Sequence, residues 1–256
     1  MGCRTCPSPR ERGPRPGVRV DRRRPGHPRP VTEPLDLFST PDAPDSPGPI
    51  RDAEAAAPTE APDLDTLRER AAGCTACELY EGTTGTVFGV GPATARMMFV
   101  GEQPGDQEDR ALEPFVGPAG RLFDGALAEA GIAREDAYVT NAVKHFSFRR
   151  QGNRRIHQTP KVGHVRACRP WLDGELALVR PHVLVTLGAT AGKALLGSSF
   201  RITTERGEPR PWEGTTLIPT IHPSAILRAD PDRGQDADEM RAGFVADLRR
   251  AAELLG

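Results

Sequence analysis

The feature that most constrains the fold is a regular alternation of short apolar segments with longer segments of helical periodicity. Apolar runs typical of buried strands occur at Met97–Gly101, Ala137–Val143, Val183–Leu187 and Leu217–Ile221. Helical patterns lie between these runs and follow the last one. Because strands and helices alternate, right-handed crossovers return the chain to the same end of one sheet. The sequence therefore predicts an α/β protein, a three-layer α/β/α fold with a central four-stranded parallel sheet.

The helices of this fold are indicated by apolar periodicity and by the residues that flank it. We expect them at residues 64–72, 119–130, 161–179, 189–196 and 236–255, the first capped by Asp63. Long polar loops are expected at 102–118 and 144–159. A hairpin-like stretch containing Gly207 and Gly214 precedes the last strand.

Polar side chains follow the predicted strands at the points where those strands end. Glu102 comes directly after the first strand, Asn141 lies near the end of the second, and His222 follows the last. In an open parallel sheet, ligands bind in the crevice at the carboxyl ends of the strands. We therefore expect these three residues to converge on one binding or catalytic site.

The N-terminal quarter of the chain has a different composition. Residues 1–62 contain fourteen of the 26 prolines. Residues 1–30 carry nine arginines against two acidic residues, whereas residues 31–63 carry eight acidic residues against one arginine. Such a segment buries too little apolar surface to offset the entropy of ordering. We predict that 1–62 is a disordered tail, with Cys3 and Cys6 incidental, and that the folded domain spans 63–256.

Composition also limits the classes of partner and compartment. The 256 residues have a formal net charge of −1, so the whole chain lacks the basic excess of many nucleic-acid-binding proteins. No apolar run approaches the roughly 20 residues of a membrane span. The N-terminus lacks the apolar segment of a secretory signal. These observations predict a cytoplasmic protein without a membrane partner, in which five cysteines are not a disulfide framework.

Three cysteines and a histidine of the folded part have the pattern of metal ligands. Cys74 and Cys77 form a C-x-x-C pair, whose two-residue gap lets both sulfurs face one ion or cluster. Cys168 lies in the apolar phase of a predicted helix, and His145 follows the second strand. The four residues would suit either a zinc ion or an iron–sulfur cluster.

The loop after the first strand combines acidic residues with turn-forming residues. Gly101 and Gly105 permit tight turns of the backbone close to a ligand. Glu102 and Asp106 are candidates for a base, an orienting group or a water-positioning group, although glycine, proline and acids are also ordinary in turns. Asn141 suits the reading of an amide edge of a base, or else stabilises a turn. His222 is a candidate acid or anion stabiliser, or else a packing histidine.

The second long loop is strongly basic. Four arginines, at positions 149, 150, 154 and 155, fall within seven residues around Gly152 and Asn153. Such a loop can follow a phosphate backbone, although a solvated surface loop has the same composition. His157 follows the last arginine pair, and phosphate contacts would deliver it to a site.

Taken together, these motifs resemble the uracil-DNA glycosylase superfamily over about Leu64–Leu255. The segments GEQPGDQED and PFVGPAGRL are similar to the first active-site motif of the family 4, iron–sulfur glycosylases, and YVTNAVK, ACRPWL, LVTLGATA and IHPS follow in the family's order. At three points the sequence departs from the family 4 pattern and resembles the UdgX branch of the superfamily instead. These are the RRIH segment ending at His157, Gln103 in place of a small residue, and His145 in place of a cysteine ligand.

The resemblance implies a role for each candidate residue. UdgX proteins excise uracil from DNA and then stay covalently joined to it through the histidine of this loop, which is His157 here. Phe115 would stack on the flipped base, Asn141 would read its amide edge, and His222 would stabilise charge on the leaving uracil. Glu102 would accept a proton or hold the imidazole tautomer. The resemblance also implies substrate contacts by Gln103, Asp106, Arg154, Arg155 and Ser224.

The resemblance further implies a cofactor and a partner. Cys74, Cys77, His145 and Cys168 would hold a 4Fe-4S cluster with a structural role. The partner would be uracil-containing DNA, preferably single-stranded or with a flipped base, bound by a monomer. Two other functions stay open. In one, the protein is a conventional family 4 glycosylase that turns over, with His157 only a DNA contact. In the other, it is a non-catalytic, cluster-bearing DNA-binding protein.

Overall fold

The computed structural model describes residues 61–256, so the predicted tail lies outside the described residues except for its last two positions. The helices are α1 (Leu64–Ala72), α2 (Asp106–Ala111), α3 (Pro118–Glu129), α4 (Val162–Val179), α5 (Ala189–Leu196), α6 (Ile202–Glu205), α7 (Pro223–Leu227) and α8 (Ala237–Glu253). The strands are β1 (Met97–Gly101), β2 (Ala137–Asn141), β3 (Phe148–Gln151), β4 (Arg154–His157), β5 (Val183–Leu187), β6 (Arg210–Trp212) and β7 (Thr215–Thr220).

The predicted fold class is confirmed. Five strands form one sheet in the order β2-β1-β5-β7-β6, and the first four of these are parallel. All residues of β1, β2 and β5 are buried, because helices cover both faces of the sheet. This double coverage explains why these strands are apolar throughout rather than alternating.

The helices divide into two layers with separate cores. On one face, Leu67 of α1 and Trp171 of α4 pack with Met98 of the sheet. On the other face, Phe123 of α3 and Phe244 of α8 pack with apolar residues of the same strands. α1 begins where the sequence predicted, because the Asp63 carboxylate accepts a hydrogen bond from the backbone N–H of Thr66 at 2.8 Å. None of the helices within 61–256 combines the length and apolarity needed to cross a membrane.

The sheet has one strand more than the four predicted. The hairpin-like stretch forms β6, which pairs antiparallel with β7 and extends the sheet at its edge. An edge strand makes ladder bonds on one side only, so it tolerates Pro211 in its centre. A three-residue, partly exposed strand leaves little periodicity to detect.

Both predicted polar loops contain regular structure. The loop at 102–118 includes the six-residue α2, and the loop at 144–159 folds into a two-stranded hairpin of β3 and β4. The hairpin was missed because most of its residues are exposed, so its sequence lacks an apolar face.

The topology places a crevice between β1 and β5. The chain leaves β1 to form β2 on one side and later forms β5 and β7 on the other, so the strand order reverses at this pair. A reversal separates the loops that follow the two strands and opens a cleft at their carboxyl ends. The predicted site residues follow these strand ends.

Candidate active site

Two adjoining cavities lie at the carboxyl ends of the parallel strands. The first has a volume of about 340 Å³ and brings together seven of the predicted residues, Gln103, Asp106, Phe115, Asn141, His157, His222 and Ser224. The second has a volume of about 570 Å³ and adds Glu102. The two cavities share Gln103, His157, His222, Ser224 and Arg228. Arg154 and Arg155 line neither cavity.

Asn141 ends β2 with its amide at the wall of the first cavity. Its Oδ1 atom is buried and has no hydrogen-bond partner within the described part of the chain. A buried acceptor without a donor costs free energy, so the atom is suited to an N–H group of a ligand. Glycine is required at position 101, since a Cβ there would overlap both Asn141 Oδ1 and the Phe115 ring.

Phe115 forms an aromatic wall of the same cavity. Its backbone has a φ of +61°, in the left-handed region, and Gly120 lets the next helix approach the Phe115 carbonyl. The ring lies 5.2 Å from Phe123 and 5.9 Å from the His222 ring, at 31° to the latter. The Phe115 face therefore presents a flat surface on which a planar base can stack.

The loop that carries Phe115 is held closed by Glu108, which sequence analysis did not single out. Its carboxylate accepts hydrogen bonds from the backbone N–H of Gly105 at 3.1 Å and of Gly117 at 2.7 Å. The bond from Gly105 joins the two ends of one helical turn. The bond from Gly117 joins residues that are nine apart in the sequence. A glutamate three residues after the N-cap glycine was the sequence signal that identifies it.

His222 is held as a neutral imidazole with one defined tautomer. It caps α7, and its Nδ1 accepts a hydrogen bond from the backbone N–H of Ser224 at 3.1 Å. A backbone N–H can only donate, so Nδ1 is unprotonated and the ring proton resides on Nε2. Burial, with the nearby Arg228 and His157, lowers the pKa of His222 to about 4. The ring thus offers a neutral N–H donor at neutral pH.

His157 ends the hairpin with the opposite tautomer. Its Nε2 lies 2.8 Å from Nε2 of Gln103 and 3.5 Å from Oε1 of Glu102. An amide nitrogen only donates, so the imidazole Nε2 accepts and the proton resides on Nδ1. Burial lowers the pKa of His157, Arg228 lowers it further, and Glu102 opposes them. The side chain is 51% exposed and lines both cavities, and its Nε2 lone pair accepts the hydrogen bond from Gln103.

Gln103 fixes the base of the hairpin. Its Oε1 accepts from the backbone N–H of Ser147 at 3.1 Å, and its Nε2 reaches the carbonyls of Ser147 at 3.2 Å and Gln158 at 3.0 Å. These contacts define which end of the amide is the donor. They also fasten the two residues at the base of the hairpin to the loop that follows β1.

Glu102 follows β1 and is oriented by a residue of α5. Its Oε2 accepts a hydrogen bond from the Thr190 hydroxyl, which leaves Oε1 directed towards His157. Thr190 is a second residue that sequence analysis missed. It lies in the LVTLGATA segment, but a threonine in the first turn of a helix carries no signal specific to a site.

Arg155 is held by the protein rather than free to reach a ligand. Its guanidinium pairs with Asp106 and Asp109 at 2.5 Å each, and it lies over the Phe148 ring at 5.2 Å. Asp109 is fully buried and also accepts from Thr84. Arg155 therefore fastens β4 to α2, whereas Arg154 beside it is exposed.

Cys74, Cys77 and Cys168 form no disulfide within residues 61–256, and Cys168 lies near both Cys77, to which it hydrogen-bonds, and Cys74. Cys74 accepts a hydrogen bond from the Trp171 indole at 3.2 Å, and Cys168 accepts one from the backbone N–H of Lys144 at 3.5 Å. Hydrogen bonding with Cys168 lowers the pKa of Cys77 to about 7, while the same bond and burial raise the pKa of Cys168.

His145 borders this cysteine cluster through one shared contact. The Thr86 hydroxyl lies 3.2 Å from His145 Nε2 and donates to the Ala71 carbonyl, which also accepts from the backbone N–H of Cys74. Across residues 61–256, no group of three or more His, Cys, Asp or Glu side chains is arranged to hold a single metal ion. Thiolate ligands suit iron–sulfur clusters, and a cluster of several irons spreads its ligands more widely than one ion does. The donor set therefore fits such a cluster.

Comparison with known proteins identifies the class to which this fold and site belong. Residues 88–249 match the family model of the uracil DNA glycosylase superfamily, and the chain belongs to that superfamily. It is 38% identical over 194 residues to a type-4 uracil-DNA glycosylase of Thermotoga maritima, covering 75% of this chain and 94% of the relative. It is 34% identical over 196 residues to a type-4 uracil-DNA glycosylase of Pyrobaculum aerophilum, covering 73% of this chain and 96% of the relative.

Proposed function

We propose that this protein excises uracil from DNA and then becomes covalently joined to the abasic sugar through His157. Its relatives are type-4 uracil-DNA glycosylases, which supports the excision. The observation that carries the proposal is the unpartnered Asn141 Oδ1 in a cavity bordered by an aromatic wall and a neutral imidazole donor. The capture step rests on the position and tautomer of His157.

Uracil fits the first cavity by the pattern of its amide edge. Its N3–H donates to Asn141 Oδ1, and its O4 accepts from the Asn141 amide N–H groups. Cytosine presents a lone pair at N3 and an amine at C4, so both contacts become repulsive. The base enters the first cavity only when it is flipped out of the base stack. Flipping costs a few kcal/mol of free energy, which unpaired DNA largely avoids. Stacking on Phe115 offsets part of that cost.

Cleavage requires stabilisation of the negative charge that develops on the departing uracil. The C1′–N1 bond breaks with its electron pair on the base, and charge spreads to O2. His222 donates its Nε2–H to this oxygen while the ring stays neutral. A neutral donor with a fixed tautomer needs no proton transfer before the bond breaks.

Capture uses the lone pair of His157 Nε2. The sugar left behind is an electrophile at C1′, and a new C1′–Nε2 bond forms. The imidazolium then releases its Nδ1 proton and the uracil anion takes up one proton, so atoms and charge balance. Glu102 Oε1 lies 3.5 Å from Nε2 and stabilises the transient cation. The product is an N-alkylated imidazole, which is a poor leaving group.

The contacts of Gln103 make the His157 lone pair available at low cost. The amide nitrogen has two protons and three acceptors within 3.2 Å. When Nε2 bonds to the sugar, both protons can still be shared with the carbonyls of Ser147 and Gln158. No buried donor is left unsatisfied, so capture carries no desolvation penalty at this residue.

The second candidate function is conventional hydrolysis. Glu102 borders the 570 Å³ cavity, which has room for water beside the sugar. A water held by Glu102 Oε1 would attack C1′ and release an abasic site, and His157 would act only as a contact. The two functions share every step up to bond cleavage and differ in the nucleophile.

We also propose that Cys74, Cys77, Cys168 and His145 hold a 4Fe-4S cluster. The proximity of three buried or part-buried thiols supports this assignment, as does the position of His145 beside them. When bound, the cluster would link the segment after α1, α4 and the segment after β2. It takes no part in the excision steps.

We also propose a domain boundary, a branch of the superfamily, a compartment and a DNA partner for this protein. The folded domain spans 63–256 and belongs to the UdgX branch, on the grounds of Gln103, His145 and the RRIH segment. It acts in the cytoplasm as a monomer on single-stranded or flipped-base uracil DNA. Asp106, Arg154, Arg155 and Ser224 support DNA binding or hold the residues that bind it.

A denaturing gel of protein mixed with a labelled uracil oligonucleotide tests the function directly. We expect a band of reduced mobility that survives heat and detergent. A free abasic product that breaks in alkali would favour hydrolysis. Intact oligonucleotide would contradict both activities and leave a DNA-binding protein. An oligonucleotide with cytosine at the same position is the matched control and should stay unchanged.

A further inference from the structure

The second cavity is larger than the uracil cavity, and the proposed chemistry leaves most of it unused. Its volume is about 570 Å³, against about 340 Å³ for the first. Beyond the shared wall it extends over Thr159, Gly188, Ala189, Ile202, Ile221 and Ala225. We call this part the flanking cavity. Attack on C1′ requires only its inner rim, where Glu102 and His157 lie.

The flanking cavity has an apolar floor and a cationic rim. Ile202, Ile221 and Ala225 supply the apolar side chains of this floor, beside Thr159 and Gly188. Arg228 lies on the rim, and within residues 61–256 its guanidinium has no ion-pair or side-chain hydrogen-bond partner. An apolar face beside a free guanidinium suits a flat heteroaromatic ring attached to a phosphodiester.

Covalent connectivity determines which ring can reach this place. The two cavities share five wall residues, so only one layer of side chains separates them. A strand whose uracil occupies the first cavity has its next nucleotide tied to the same sugar by one phosphodiester. The base of that nucleotide is therefore the group delivered to the flanking cavity.

We propose that the flanking cavity is a subsite for the nucleobase adjacent to uracil in the same DNA strand. The proposal rests on the proposed function, because it requires uracil DNA in the first cavity. The Arg228 guanidinium and the aliphatic side chains contact the base by its π face and not by its edge, so all four bases are accepted. A base that remains paired in a duplex cannot enter. The subsite thereby gives single-stranded DNA an advantage over duplex DNA.

The test compares three single-stranded oligonucleotides with the full-length protein. One carries ordinary bases on both sides of uracil, and each of the others carries an abasic tetrahydrofuran analogue on one side. We expect the analogue on one side to lower the rate of capture at limiting protein by roughly two- to fivefold, the size of one exposed cation–π contact. The analogue on the other side should have little effect.

Two variants of Ile202 assign this effect to the cavity. Ile202→Ala removes part of the floor, and Ile202→Trp fills the space. With either variant, the ratio of the capture rate of the ordinary oligonucleotide to that of the analogue-bearing oligonucleotide should be close to one. Val162→Ala is the matched control, since Val162 is an exposed apolar residue outside both cavities and should retain the full ratio.

The proposal is overturned if neither neighbour affects capture, or if the ratio persists in both Ile202 variants. The failure of the proposed function has a different signature, in which the wild-type protein leaves uracil DNA unchanged. In that event, equilibrium binding of the same three oligonucleotides, followed by fluorescence anisotropy, tests the subsite independently of chemistry. Equal affinities would overturn it.

Discussion

At the scale of single residues, the two histidines of the site differ in which nitrogen carries the proton. Ser224 donates to Nδ1 of His222, so that ring is a donor at Nε2. Gln103 donates to Nε2 of His157, so that ring has its lone pair there. In the proposed reaction, one ring stabilises an anion and the other forms a bond. The same residue type serves both needs because its neighbours differ.

The lowered pKa of His157 predicts the pH dependence of capture. In the proposed reaction the neutral ring is the nucleophile, so capture should persist as pH falls through the ordinary histidine value of 6.5 and decline only below it. Glu102 raises this pKa against the effect of burial. Glu102→Gln should therefore move the acid limb to still lower pH while slowing capture. Single-turnover rates across an acidic to neutral pH series measure both effects, and an acid limb at or above 6.5 would contradict the assignment.

At the scale of elements, the β3–β4 hairpin determines where His157 lies. Arg155 fastens this hairpin to the buried Asp109, so Arg155→Ala leaves an unpaired buried carboxylate. Breaking a buried ion pair costs about 3–5 kcal/mol. We expect a lower melting temperature and a larger loss of capture than of uracil release. Arg154→Ala should instead keep the melting temperature and reduce the salt dependence of DNA binding by about one charge. Equal effects of the two substitutions on thermal melting would contradict this division of roles.

The same elements illustrate what the sequence could predict. The fully buried strands β1 and β5 were located to the residue, because an apolar run bounded by polar residues has few alternative interpretations. Asp63 was identified as a helix cap by its residue type. The hairpin and α2 were missed, since short exposed elements depend on tertiary contacts such as those of Gln103 and Glu108.

The candidate site was predictable to a similar degree. The meeting of Asn141 and His222 at one cavity was predicted from their places at the end of β2 and after β7, which parallel topology brings together. The orientation of the Glu102 carboxylate by Thr190 was not predicted, and neither was the second cavity beside it. Both arise from contacts between distant segments of the chain. The salt bridges of Arg155 likewise have no signal in a basic loop.

At the scale of the whole molecule, the proposed cluster joins segments that are far apart in the sequence. Purified protein should be brown and contain iron and sulfide, and Cys168→Ser should lose iron and melt at a lower temperature. His145→Cys should keep iron, because it supplies another ligand of the kind that iron–sulfur clusters prefer. Cys3→Ser is the matched control and should change neither quantity. Metal analysis that finds zinc without iron would contradict the cluster while leaving the ligand set intact.

The boundary of the folded domain predicts the result of truncation. A protein that begins at residue 63 keeps both core clusters nearly complete and the whole of the site. It should retain the melting temperature and the rate of capture of the full chain. A large loss of DNA reactivity would assign a binding role to the arginine-rich segment at 1–30.

The most direct test of the central claim is the reaction of His157→Ala with a uracil oligonucleotide, resolved on a denaturing gel. The substitution removes the proposed nucleophile and should admit water to C1′, while Phe115, Asn141 and His222, proposed to excise the base, still line the cavity. We expect the covalent band to disappear and free abasic DNA to accumulate with turnover. A His157→Ala protein that still forms the heat-stable adduct would contradict the account, because another side chain would then be the nucleophile.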